Sequence, residues 1–197
     1  MGAVFTFMRE FLRDPVCLGA VAPSGRALAS LTVASAEIQP GHVVVELGAG
    51  TGPMTEQIIA QHPDNPFLAL EPKESLAGAL RERFPEVLVD GRYCQDLPEI
   101  CADWGQESID RVVSSLPWAI WPQEVQHAAF EGIMKVMKPD ARMVTFTYAH
   151  SQMLPAAKRF RKTLDAHFIS VHKTHIAWAN IPPALVYVCD QPRPGKH

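Results

Sequence analysis

The 197-residue sequence is poor in several features that would assign a class at once. Its four cysteines (Cys17, Cys94, Cys101 and Cys189) are scattered and form no C-x-x-C pair. That points away from a zinc site or a disulfide framework and toward a reducing compartment. No apolar run approaches the roughly 20 residues of a membrane-spanning helix. The first residues lack a signal-peptide cleavage pattern. Basic residues are not in excess: 18 Lys and Arg against 21 Asp and Glu give a net charge of −3, unlike a general nucleic-acid binder. There is no internal repeat, interdomain linker or low-complexity stretch.

What is present is ordinary for an α/β domain: 47% hydrophobic and 20% charged residues, in a chain long enough to bury one substantial core. Residues 3–13 read as an amphipathic helix, with Phe5, Phe7 and Phe11 on an apolar face and Arg9, Glu10 and Arg13 opposite. A second helix is expected from Ser24 to about Ala34. Strands are expected over 43–46, 67–71, 87–90, 109–114, 142–148, 168–172 and 184–189. Helices are expected after Gly52 and over 73–84, 98–104, 124–137 and 153–166, with Lys138-Pro139-Asp140 closing the penultimate one. Alternating strands and helices imply a mostly parallel sheet with right-handed crossovers. The last two strands have no helix between them, so one of them is expected to run antiparallel. The expected division is an N-terminal helical lid or membrane-contact segment, 1–35, and a catalytic domain, 36–197.

The stretch Val43-Val44-Val45-Glu46-Leu47-Gly48-Ala49-Gly50-Thr51-Gly52 carries the most information. It reads as a buried strand, an acid, a glycine turn and a helix start. Glycines permit backbone angles and approaches that a Cβ forbids, and open α/β sheets bind ligands at the carboxyl ends of their strands. The spacing is neither G-x-G-x-x-G nor a phosphate loop with its Lys-Ser/Thr. It resembles motif I of class I S-adenosylmethionine (SAM) methyltransferases. That resemblance implies a Rossmann-like fold with a seven-stranded, mostly parallel sheet and one antiparallel strand. Gly48, Ala49, Gly50 and Gly52 would cradle the methionine part through backbone amides, and Glu46 would accept from its ammonium. Glu71, followed by Pro72, ends the second strand about 20 residues on, where a carboxylate accepts ribose hydroxyls in related dinucleotide folds. Tyr93 stands where an adenine-binding Asp is frequent, so Tyr93, Cys94 and Gln95 are expected to wrap the adenine. Asp96 is either a further contact or an N-cap before Pro98.

The fourth strand ends in Ser114-Ser115-Leu116-Pro117-Trp118, similar to the [N/D/S]-x-P-aromatic turn of N-methyltransferases. Oxygens of Ser114 and Ser115 would accept from a substrate N–H, and Ser114 would also touch the cofactor. Trp118, with Trp121, Tyr148 and Trp178, offers rings for a methylated ammonium, at roughly 0.5–2 kcal/mol per well-placed ring. Core packing is the alternative for each ring.

Phe11-Leu12-Arg13-Asp14-Pro15, Gly19-Ala20-Val21-Ala22-Pro23-Ser24, Phe146-Thr147-Tyr148 and Asn180-Ile181-Pro182-Pro183-Ala184 resemble bacterial phospholipid N-methyltransferases, whose core is similar to ribosomal RNA adenine dimethylases. The resemblance covers nearly the whole chain. It departs at Tyr93 and at Ser115, where glycine is common. It implies SAM as methyl donor, S-adenosylhomocysteine as product, no metal, and phosphatidylethanolamine with its mono- and dimethylated forms as acceptors. The implied catalytic residues are Ser114, Ser115, Trp118 and Tyr148, and Ser24, Arg26, His150 and Asn180 are candidates for the headgroup. The implied setting is cytoplasmic and peripheral on an anionic membrane, contacted by the N-terminal helix and by Lys158-Arg159-Phe160-Arg161-Lys162. Competing readings are an RNA adenine N-methyltransferase and a non-catalytic SAM-binding membrane adaptor.

Overall fold

A computed structural model describes residues 23–194; the expected helix at 3–13 and its phenylalanines lie outside them. The chain alternates strand and helix as far as β6: α1 (Pro23–Ser35), β1 (Val44–Leu47), α2 (Pro53–Gln61), β2 (Phe67–Leu70), α3 (Glu74–Arg83), β3 (Leu88–Asp90), α4 (Leu97–Trp104), β4 (Ile109–Ser114), α5 (Gln123–Val136), β5 (Met137–Tyr148), α6 (Pro155–His167) and β6 (Phe168–Lys173). β7 (Ala184–Pro192) then follows with no helix between. The seven strands stand in the order β3-β2-β1-β4-β5-β7-β6. β7 is antiparallel to both β5 and β6, and the pairings from β3 to β5 are parallel. The single reversed strand is therefore β7.

Strand alternation sends successive side chains to opposite faces. Val45 and Leu47 join the core beneath α4, α5 and α6, which is centred on Phe130, Ile133 and Phe160. Val44 joins Leu28, Val33, Ile58 and Val186 beneath α1 and α2. Glu46, between them, is carried toward α2. α1, the described part of the expected 1–35 segment, thus packs on the sheet as one of its helical layers. Its C-terminal end lies beside Arg142 of β5, which is level with the first residue of β1; the Arg142 guanidinium donates to the Ser35 carbonyl and pairs with Glu37. Its first turn accordingly points toward the carboxyl edge of the sheet.

The largest boundary difference from expectation is at the start of β5. β5 begins at Met137 directly after α5, and Lys138-Pro139-Asp140 lies within a bulged strand rather than a closing turn. The cause is Asp110, whose carboxylate takes the Lys138 ammonium (2.7 Å) and the Val43 amide (2.8 Å). That tether draws the segment into line with β4.

Candidate functional site

β1, β2 and β4 end in one row. Leu47 pairs with Leu70 on one side and with Ser114 on the other. The glycine turn leaves that row with Gly48, Gly50 and Gly52 at φ of 77°, 61° and 86°, a region that disfavours side chains. Gly52 also abuts α3: an added Cβ would sit 2.7 Å from Phe84. Pro53 then opens α2 at its first position.

The turn's amides are not directed as expected. Gly48 and Ala49 donate to the Leu70 carbonyl, and Gly50 donates to Glu71 Oε2 at 2.8 Å. Glu71 Oε1 accepts the Lys73 amide at 2.9 Å. Glu71 therefore bridges the glycine turn to the start of α3. Each of its oxygens holds one N–H, and a carboxylate has about four acceptor sites, so it can still accept two hydroxyls. Burial pushes its pKa upward against these bonds.

Glu46 is wholly buried. Thr55 of α2 donates to its Oε2 at 2.6 Å, and its Oε1 accepts from no described residue. Burial, opposed by the Thr55 bond and aided by the charge on Glu71, raises its pKa to about 7. Among the described residues neither Glu46 nor Glu71 has a Lys or Arg ion pair. Two buried carboxylates without cations are costly unless a cation joins them. SAM brings a sulfonium and an ammonium, so the orphaned oxygen and the acidic pair fit that cofactor.

The crevice beside them is bounded by Leu47, Leu70, Pro72, Tyr93, Cys94 and Leu116. Its free volume, about 20 Å³, is that of roughly one water. The closing groups are side chains, with Leu116 lying over Gly48. Leu116 and Tyr93 are the side chains that an adenosine in this crevice would meet. Cys94 is buried with its thiol pushed up to about 12. Gln95 presents a buried Oε1 with no described partner, and its backbone lies against Gly132 of α5. Asp96 turns back to accept the Tyr93 amide, so it caps its own 3₁₀ turn (Cys94–Asp96).

The acceptor turn corrects two expectations. Trp118 is 2% exposed, stacked 5.9 Å from Phe160 and tilted against Phe130 at 5.0 Å, with Nε1 donating to Ser114 Oγ at 2.9 Å. It is a core residue that shapes the turn from beneath, not a wall facing a substrate. Ser114 is fully buried and its hydroxyl also accepts the Leu116 amide, so that hydroxyl serves the turn itself. Ser115 donates to the Gly48 carbonyl and ties the acceptor turn to the glycine turn. Its own carbonyl accepts from none of the described residues. Tyr148 ends β5, half-buried, with Phe146 and the exposed His150 as ring neighbours at 5.9 Å and 5.8 Å.

Asn180 is a third correction. It is buried, and its amide donates to the Pro182 carbonyl at 2.6 Å across the cis Ile181–Pro182 bond. It builds a turn from a buried position, with one amide hydrogen committed to the chain's own carbonyl. Arg26 is exposed on the first turn of α1, and Ser24 lies in the same turn. Sequence reasoning missed Thr55, Gly132 and Leu116. A hydroxyl on the first turn of the helix after motif I is a usable signal for Thr55. Gly132 announces nothing locally, because the need for it comes from a turn 37 residues earlier.

No protein-family model matches the chain. It is 33% identical to an ornithine lipid N-methyltransferase of Singulisphaera acidiphila over 190 residues, 94% of each protein. It is 39% identical over 90 residues to ribosomal RNA small subunit methyltransferase A of Prosthecochloris aestuarii, covering 45% of this chain and 32% of that one. Among solved structures, the N-methyltransferase NodS of Bradyrhizobium japonicum superposes with a TM-score of 0.65 at 12% identity, over 88% of this chain and 99% of that one. A mycolic acid cyclopropane synthase bound to S-adenosylhomocysteine superposes at 0.51 and 18% identity, over 71% and 50%. The structural likenesses establish the class I methyltransferase fold. Together with the near full-length match, they show that this SAM-dependent methyltransferase belongs to the family of bacterial lipid N-methyltransferases.

Proposed function

We propose that the protein transfers methyl groups from SAM to the amine of phosphatidylethanolamine and of its mono- and dimethylated forms, working peripherally on an anionic membrane on its cytoplasmic side. The observation that carries the reading is the Ser115 carbonyl. It is the acceptor-turn oxygen left open by the described residues, and the Ser115 hydroxyl fixes it to the cofactor turn. SAM supplies an activated methyl on sulfur; the chain's task is then position. Glu46 and Glu71 hold the cofactor's ammonium and ribose hydroxyls. The Ser115 carbonyl accepts an amine hydrogen and aims the nitrogen lone pair. The amine must be neutral to attack, and water takes its proton. Tyr148 and His150 stand at the same edge for the headgroup, with Arg26 exposed on the first turn of α1.

A second reading has its own support: the near full-length relative is named as an ornithine lipid N-methyltransferase. Radiolabelled SAM with vesicles of each lipid, and with ribosomal RNA in a third arm, separates the readings. Label is expected in the phosphatidylethanolamine fraction as mono-, di- and trimethyl products by mass spectrometry. Label in ornithine lipid alone would replace the substrate, and label in RNA alone would overturn the lipid reading.

A further inference from the structure

Seven large hydrophobic side chains are exposed among the described residues, and their distribution is lopsided. Leu88 and Ile169 lie at the starts of β3 and β6. The other five lie at the carboxyl edge: Ile120 (63% exposed) after β4, Met153 (77%) and Leu154 (53%) after β5, and Trp178 (73%) and Ile181 (78%) between β6 and β7. Their turns are tied together. The Ala149 amide donates to the Pro183 carbonyl at 2.8 Å, and the Ala177 amide to the Ala184 carbonyl at 2.7 Å. α6 packs against both the 118–120 and the 149–153 turns. The five side chains thus rim the same edge as Tyr148 and the Ser115 carbonyl.

Charge divides the same way. Residues 144–183 hold five Lys and Arg and one acid, Asp165, which pairs with Arg161. Lys158, Arg159 and Lys162 project from the outer face of α6, exposed and without an acidic partner among the described residues. An apolar rim beside a cationic face matches the layered chemistry of a bilayer surface: anionic headgroups outside, acyl chains just beneath. Trp is suited to that boundary. A second copy of this chain is a poorer occupant, because a two-fold contact would oppose like charges. RNA would leave the apolar rim in water.

We propose that this rim is the face on which the protein docks to an anionic lipid bilayer, placing the crevice mouth in the headgroup layer. The proposal rests on the lipid reading above and gives that reading a surface among the described residues, distinct from the expected N-terminal helix.

Trp178 is the exposed one of the four tryptophans, so its emission reports on the rim. With vesicles of phosphatidylethanolamine and phosphatidylglycerol, the emission is expected to shift to the blue and to be quenched by bromines on the acyl chains. Met153→Ser with Ile181→Ser should weaken co-sedimentation at least about tenfold. Lys158→Glu with Lys162→Glu should weaken it on anionic vesicles and leave binding to neutral ones unchanged. In all variants, SAM affinity and methylation of a dispersed short-chain phosphatidylethanolamine should match the parent. Sedimentation with vesicles without any change in Trp178 emission would overturn the rim as the docking face while sparing the lipid reading. A Trp178 shift that depends on protein concentration without vesicles would make the rim a self-association surface. Failure of the parent to methylate the dispersed lipid would sink the phosphatidylethanolamine reading and leave the rim to be judged by the vesicle arms alone.

Discussion

On one side of β4 the sheet consists of β1, β2 and β3, parallel strands of four, four and three residues. On the other side stand β5, β7 and β6, of 12, nine and six residues, with β7 reversed between the other two. Residues 37–108, which build the short half, hold thirteen Asp and Glu against four Lys and Arg; residues 137–194, which build the long half, hold three against eight. The acidic half carries the glycine turn and the two buried carboxylates, a setting that suits a cofactor of net positive charge. The basic half carries the exposed rim. A net charge of −3 conceals this division. An argument from total charge speaks against RNA and says nothing about a local anionic partner.

The largest effect is expected where the acceptor turn meets the core of the long half. Trp118→Ala removes a ring packed on Phe130 and Phe160 and should cost about 3–5 kcal/mol in urea unfolding. Trp118→Phe keeps an aromatic and deletes the bond to Ser114 Oγ, for about 1 kcal/mol, with KM for the lipid unchanged. A raised lipid KM at parental stability would return Trp118 to the substrate wall.

The next effect crosses to the adenine turn of the short half. A Cβ on Gly132 would lie 2.5 Å from the Gln95 carbonyl oxygen and 2.7 Å from its Cα, so backbone must move. Gly132→Ala should destabilise by about 1–3 kcal/mol and weaken SAM binding by displacing Gln95. Gly78 on α3 has open space around it; Gly78→Ala should leave SAM affinity alone and add up to about 1 kcal/mol. Thermal unfolding and calorimetry on the pair separate a packing glycine from an incidental one. Glu71→Ala comes third. It removes the acceptor of the Gly50 and Lys73 amides as well as the hydroxyl partner, and SAM affinity should fall about tenfold to a hundredfold by calorimetry.

The short half was legible in the sequence because its geometry is written in residues that act through the backbone. Gly48, Gly50 and Gly52 adopt the positive φ that their type permits, and the acid after β2 lies beside them. That one of the last two strands runs antiparallel also follows from the missing helix before β7. The long half was less legible because burial decides its roles, and burial is a property of the assembled core. Trp118 and Asn180 look alike in sequence whether they face a substrate or close a turn. Met153 and Ile181 look like core residues until the fold leaves them outside. The amides of Gly48 and Ala49 were misassigned for a related reason: a turn has its own chain's carbonyls to satisfy, and the Leu70 carbonyl takes both.

Glu46 gives the smallest and most diagnostic effect, because it tests whether the acidity of the short half serves a cation. Its folded pKa, about 7, stands above the ordinary 4.5. Between those values the folded chain keeps a proton that the unfolded chain releases. Stability therefore falls as pH rises through that window and stays lower above it. A bound ammonium reverses the preference, since it favours the carboxylate. If the ionised form is the binder, SAM affinity should rise about tenfold from pH 6 to pH 8, following the ionised fraction. Glu46→Gln keeps the Thr55 bond to a carbonyl oxygen and removes the titration. SAM's own amine titrates identically in both proteins, so the difference between the two pH profiles isolates Glu46. The variant should also be more stable than the parent at pH 8 and not at pH 4.5. Parallel affinity profiles would mean that Glu46 never meets the ammonium and serves only to hold α2 through Thr55.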